Sequence, residues 1–179
     1  MWFSFWSGDF TAGEGLNLLI IGVLSDTHIP YRAGRVPEPV LAGFFGVDLI
    51  LHAGDITTLS VLEQLACVAP VVAVYGNVDP PETRRTLPRR RIISSGKWRL
   101  GLVHGDQGWG SPPVRALGMF SGDQVDAVVF GHSHQPYLAR HDGVLLFNPG
   151  SPTDQRHSRR PSYGLLRLNE TIAGEVIYL

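Results

Sequence analysis

Five times along this chain an apolar run stops at an aspartate, an asparagine or a histidine. "LLIIGVLS" gives way to Asp26, with His28 two residues on; "LILHAG" stops at Asp55 and "VVAVYG" at Asn77. "RLGLV" runs into His104, and "AVVFG" into His132 and His134. Apolar runs without alternation are the pattern of strands covered on both faces. Such strands belong to sheets packed under further layers, and that requirement narrows the fold more than any other feature of the chain.

Between the first three runs, "EPVLAGFFG" and "TLSVLEQLACVA" have helical spacing and length. This half therefore reads β-α-β-α-β with a parallel sheet. The grammar then changes. Ser95-Gly96 is a turn between two short strands, "SPPVRALGMF" a short helix with prolines at its start, and Asp142-Gly143 a turn between "PYLARH" and "VLLFNPGSP". "SYGLLRLNETIAGEVIYL" reads as a closing hairpin. The expectation is one mixed α/β domain over residues 18–179, parallel first and antiparallel later, with two sheets. Residues 1–17 carry five aromatics, fit no secretory pattern and read as an N-terminal extension.

Composition sets limits on function. The net charge is −1, which argues against long nucleic acid as a partner. No apolar run is long enough to span a bilayer, so no membrane partner is expected. Cys67 is the only cysteine, which excludes an internal disulfide and a thiolate metal cluster, and a cytoplasmic location is the default. Fourteen of the fifteen basic residues are arginine, concentrated in "RRTLPRRR" and "RHSRR"; for each cluster the plain alternative is a solvated loop.

In open α/β sheets, ligands bind outside the carboxyl ends of the strands. Seven residues spread over about a hundred positions can thus meet at one sheet edge: Asp26, His28, Asp55, Asn77, His104, His132 and His134. Alternate residues of an extended chain point the same way, so Asp26 with His28, and His132 with His134, are expected to face one centre. Gly54, Gly76 and Gly131 fit sharp turns before three of the ligands. Each piece alone is weak. "DTH" means little by itself, a lone His104 is more often structural, and His52 is read as structural. The ordered set at strand ends points to a shared metal site.

These residues resemble the calcineurin-like metallophosphoesterase superfamily: D-x-H (Asp26, His28), G-D (Gly54, Asp55), G-N (Gly76, Asn77), His104 and G-H-x-H (Gly131 to His134). The small size and "NPGS" (Asn148 to Ser151) are similar to the compact single-domain phosphodiesterase branch, which the retromer subunit Vps29 also resembles. The resemblance implies a four-layer α/β/β/α sandwich of two mixed β-sheets flanked by helices. It also implies a two-metal centre, with one ion on Asp26, His28, Asp55 and His134 and the other on Asp55, Asn77, His104 and His132. Mixed imidazole and carboxylate donors suit divalent Mn, Ni, Fe, Zn or Co, manganese first among them, better than Mg or Ca. The implied reaction is hydrolysis of a small phosphodiester by hydroxide held between the ions, with Asp55, Asn77, Asp79 and His104 in the catalytic set. A homo-oligomer is left open.

One departure matters. Many superfamily members carry histidine directly after the motif asparagine; here that residue is Val78, followed by Asp79. Asp79 is then either a proton donor or a residue that shapes the turn. Arg156, Arg159 and Arg160, just past "NPGS", are candidates for binding the substrate phosphate, since a planar guanidinium suits phosphate oxygens. The competing reading is a Vps29-like non-catalytic interaction module with a vestigial site. A complete set of competent ligands favours the enzyme.

Overall fold

The apolar runs form parallel strands of two five-stranded sheets, all of them interior except the one at Val71–Ala73, which lies at an edge. This is a computed structural model that describes residues 18–179; the expected extension, residues 1–17, lies outside the described residues. In chain order the first half holds β1 (Leu19–Leu24), α1 (Glu38–Gly43), β2 (Leu49–His52), α2 (Ser60–Ala66), β3 (Val71–Ala73) and α3 (Pro81–Thr86). The second half holds β4 (Arg90–Ser95), β5 (Trp98–Val103), α4 (Pro112–Gly118), β6 (Ala127–Val129), β7 (Tyr137–His141), β8 (Val144–Asn148), β9 (Ser162–Leu168) and β10 (Ile172–Tyr178).

One sheet runs β10-β9-β1-β2-β3 and the other β4-β5-β6-β8-β7. β1, β2 and β3 are mutually parallel, as are β5, β6 and β8, while β9, β10, β4 and β7 pair antiparallel. Both sheets are therefore mixed. Asp142 and Gly143, at φ 48° and 85°, make the tight turn from β7 to β8, a pairing of two left-handed residues that matches strand twist.

Residues of alternate parity fill different layers, which is why the strand sequences lack polar alternation. Ile21, Val23, Leu49 and Leu51 of the first sheet meet Leu102, Val129 and Phe147 of the second in the central core. The outer face of the first sheet, with Leu24 and Ile50, is covered by Val40 and Phe44 at α1 and by Val61, Leu62 and Leu65 of α2. Val103, Val128 and Leu146 on the outer face of the second sheet pack under Ala116 and Phe120 at α4. The architecture is the expected α/β/β/α sandwich.

One element was not foreseen. "RRTLPRRR" is not a single loop: Arg84 and Arg85 lie on α3, and Arg90 and Arg91 open β4. Pro81 presets the first helical φ and its missing N–H costs nothing there, so a proline-led helix forms where the arginine run masked it.

Candidate metal centre

The loops after β1, β2, β3, β5 and β6 open at one edge of the sandwich and bring the seven expected side chains together. His134 Nε2 lies 3.3 Å from Asp26 Oδ1 and 3.2 Å from His28 Nε2. His28 Nε2 is 3.9 Å from Asp26 Oδ1 and 3.7 Å from Asp55 Oδ2. On the other side, His104 Nε2 lies 3.3 Å from Asp55 Oδ2 and 3.1 Å from Asn77 Oδ1, and His132 Nδ1 is 3.0 Å from the same Asn77 oxygen. The donors thus fall into two sets, Asp26 with His28 and His134, and Asp26 with Asp55 and His104, and Asp55 Oδ2 also faces His28.

Each carboxylate splits its work. Asp26 Oδ2 accepts the His132 N–H at 3.0 Å, and Asp55 Oδ1 accepts the Val78 N–H at 3.0 Å. The second oxygen of each is left for the imidazoles. Asp26 Oδ1 is buried and has no hydrogen-bond partner. A buried carboxylate oxygen without a partner is costly unless a cation sits against it. The donor set of imidazole nitrogens, carboxylates and one amide oxygen, free of sulfur, fits divalent transition-metal ions.

The imidazoles are oriented from behind. His104 Nδ1–H donates to the Ala53 carbonyl at 2.8 Å, and His134 Nδ1–H to the Asp154 carbonyl at 2.5 Å, so in both rings Nε2 is turned to the centre. His52 stands apart, its Nε2 3.1 Å from Thr27 Oγ1, and burial drives its pKa down to about 3. It is a neutral core residue, as expected.

Charges in the metal-free centre are unevenly held. Burial, with the neighbouring Asp55 charge, pushes Asp26 up to about 6. Burial also raises Asp55, but the hydrogen bond and charge of His104 outweigh it and hold Asp55 at about 2. Burial opposes protonation of His104, yet Asp55 and the charge of Asp26 carry it to about 9. Burial lowers His28, His132 and His134. Metal entry therefore requires the His104 proton to leave.

The ligands do not converge as alternate residues of an extended chain. Asp26, His28, Asp55, His132 and His134 all have left-handed backbone, with φ of 55°, 45°, 56°, 69° and 57°. Such a conformation costs a non-glycine residue on the order of 1–2 kcal/mol, and it persists where surrounding contacts over-determine it. Several of those contacts come from the end of β8 and the segment after it. Asn148 Nδ2 donates to the Gly131 carbonyl at 2.8 Å; Ser151 Oγ donates to the Asp26 carbonyl at 2.7 Å, and Thr153 Oγ1 to the Thr27 carbonyl at 2.6 Å. "NPGS" is thus the brace between the two ligand-bearing loops. Of the three glycines, only Gly54 needs a positive φ, at 90°. Gly76 and Gly131 are required by close approach: a Cβ on Gly76 would collide with Asp55 Oδ1, and one on Gly131 would lie 2.6 Å from Asp26 Oδ2.

Asp79 is buried, and all its acceptor capacity faces backbone. Oδ1 takes the Thr57 N–H at 2.6 Å; Oδ2 takes the Asp55 and Gly76 N–H groups at 3.0 and 2.7 Å. Burial raises its pKa while these amides favour the charged form. A carboxylate that accepts three amide protons has none to give, so its contacts support the turn-shaping alternative over the proton donor.

Of the arginines, Arg156 stands nearest the centre: its charge depresses both His28 and His134, and its Nε lies 3.6 Å from Asp154 Oδ2. Arg159 is exposed. Arg160 is turned away, donating from Nε and Nη2 to the Leu179 carbonyl at 2.8 and 2.6 Å. Sequence reasoning missed Arg32, whose Nε lies 3.1 Å from the same Asp154 oxygen. A single arginine four residues past His28 carries no pattern. Val78 leaves its side chain exposed at the rim.

Residues 19–171 match the family model of the calcineurin-like phosphoesterase superfamily domain. A probable metallophosphoesterase of Methanothermobacter thermautotrophicus is 41% identical over 162 residues, covering 89% of this chain and 92% of that protein. Among solved structures, wild-type Vps29 complexed with Zn²⁺ from Entamoeba histolytica superposes with a TM-score of 0.72 at 24% identity, over 89% of this chain and 99% of that one. A novel archaeal phosphodiesterase superposes with a TM-score of 0.71 at 23% identity, over 90% and 100%. At these identities the two structures show a shared fold.

Proposed function

Because the chain belongs to the calcineurin-like phosphoesterase superfamily, we propose that it is a metal-dependent phosphodiesterase that hydrolyses a small phosphodiester at a centre of two divalent ions, manganese first among them. Asp26, His28, Asp55 and His134 would hold one ion, and Asp55, Asn77, His104 and His132 the other. The observation that carries this is the donor geometry: seven competent side chains at one sheet edge, with Asp26, His28 and His134 close enough together to hold a cation, and likewise Asp26, Asp55 and His104. Asp55 Oδ2 faces both His28 and His104, and a buried Asp26 oxygen lacks any partner. When bound, such a pair of ions lowers the pKa of a shared water and neutralises phosphoryl oxygens. The chain's own residues do the rest. Asp55 and Asp26 supply the anionic charge, the Nδ1–H donors of His104 and His134 fix the ring faces, and Arg32 and Arg156 offer guanidinium groups to the substrate phosphate. Val78 supplies no proton to a leaving group.

Vps29 has the same fold, so a non-catalytic interaction module is the second reading. The complete ligand set favours the hydrolase. Among the described residues no helix is long and apolar enough to cross a membrane.

Stripping metal with a chelator is expected to abolish hydrolysis of an aryl phosphodiester, and Mn²⁺ to restore it. A stripped protein that keeps its full rate, or a loaded one that hydrolyses no diester, would overturn the proposal. The arginine pair has its own test. Arg32→Gln and Arg156→Gln are each expected to raise KM for an anionic diester roughly 10–100-fold, the equivalent of the ~1.5–3 kcal/mol of a hydrogen bond to a charged group. Metal content should not change, and Arg160→Gln should leave KM alone. Equal KM values across all three variants would remove the arginines from the site.

A further inference from the structure

We propose that Arg84 is a positioning residue for the ion ligands on the Asn77 side of the centre, acting through the main chain of the loop 76–79; this rests on the two-ion reading above. Arg84 belongs to the arginine-rich stretch that the proposed function leaves unused. Its Nε donates to the Asp79 carbonyl at 2.7 Å and its Nη2 to the Asn77 carbonyl. The guanidinium also lies 5.8 Å from the Tyr75 ring centroid. One planar fork therefore closes on two carbonyls of one short loop, which a lysine cannot do.

Those two carbonyls belong to the residues whose side chains organise this half of the site. Asn77 Oδ1 sits between His104 Nε2 at 3.1 Å and His132 Nδ1 at 3.0 Å. The Asp79 carboxylate gathers the amides of Asp55, Thr57 and Gly76, and the Val78 N–H binds Asp55 Oδ1. The loop thus works as a plate: its side chains and amides face the centre, and its carbonyls at 77 and 79 face Arg84. The base that offers Arg84 is fixed. Thr83 and Leu87 of the α3 region are buried, and the Tyr75 N–H donates to the Pro88 carbonyl at 3.1 Å, tying the two ends of the segment together. Ligands on the other side, Asp26 and His134, are braced by the segment after β8 instead. Loss of Arg84 should therefore act mainly on the ion held by Asn77, and less on the other, which the loop reaches only through Asp55.

The test is titration of metal-stripped protein with Co²⁺, read by calorimetry and by the visible absorption of the bound ion. The wild-type protein is expected to show two steps, and Asn77→Ala identifies the step that belongs to Asn77. Arg84→Ala should weaken that same step roughly 10–100-fold, the usual cost of losing a partner behind a metal ligand, and leave the other within about threefold, well below that range. Arg84→Lys, which keeps the charge and loses the fork, should show the same one-sided loss at smaller size, and it decides the matter if Arg84→Ala does not fold. Two unaffected steps, or equal weakening of both, would overturn the role of Arg84 alone. A wild-type protein that takes up a single Co²⁺ would overturn the two-ion reading and this proposal with it.

Discussion

Asp55→Asn is expected to cost the protein both ions and its turnover while the fold persists. In the proposed two-ion centre Asp55 is the shared ligand, and its Oδ2 stands between the two sides, 3.7 Å from His28 Nε2 and 3.3 Å from His104 Nε2. The substitution keeps an oxygen for the Val78 N–H, so the loop contact at 3.0 Å survives. It replaces the shared anionic oxygen with an N–H donor and removes one of the two negative charges, those of Asp26 and Asp55, that face two divalent ions. The loss of activity should exceed the roughly 10–100-fold typical of an outer partner, with metal per chain falling towards zero by elemental analysis. Asn77→Ala or His132→Ala should instead weaken mainly one ion. Near-normal metal content and rate in Asp55→Asn would sink the shared-ligand assignment.

The second large effect concerns leaving groups. Val78 occupies the rim position next to Asn77, 46% exposed, and it has no proton to transfer. Asp79 beside it is engaged by three amides. An alkoxide of high pKa therefore leaves without help from this loop, and a phosphomonoester brings a second negative charge that no imidazole here offsets. Diesters with good leaving groups, such as aryl esters, are expected to be hydrolysed faster than monoesters, with rates that depend steeply on leaving-group pKa. Val78→His should flatten that dependence and raise turnover of alkyl diesters, within the ~10²–10⁴-fold that a positioned acid contributes. The exposed site accommodates the ring without repacking the core. A wild-type enzyme with a strong preference for alkyl monoesters, or a Val78→His variant with an unchanged slope, would overturn this account of position 78.

The strands and the polar residues that gather at the sheet edge were legible because both rest on local chemistry. A doubly covered strand must be apolar throughout, and the polar residues that end it stand out against that background. Helix α3 was hidden because its charged sequence has only one buried helical residue, Thr83, and so no apolar stripe to read. The left-handed backbone at the candidate ligands was not legible either: it is held by hydrogen bonds with residues far along the chain, Gly54, Asp79, Asn148, Ser151 and Thr153 among them. Arg32 reaches Asp154 through tertiary folding alone, whereas Arg156 lies two residues from it along the chain. The roles of Gly76 and Gly131 were half visible. Their presence signalled a tight spot, but the obstacle is a ligand carboxylate, not a turn.

The left-handed ligands set folding and chemistry against each other at the same five positions. Glycine would occupy any of them at no steric cost. In a laboratory screen for thermal tolerance without metal, the partly exposed His132 is the first position where glycine would win, and the centre would be lost while melting temperature rose. Run with metal in excess, the screen would reverse its preference. A ligand present at 100 times its Kd adds about 2.7 kcal/mol to the folded state, more than the ~1–2 kcal/mol returned by relaxing one residue. Heat-stable variants of this chain should therefore be sought only in medium that contains the metal they are meant to keep.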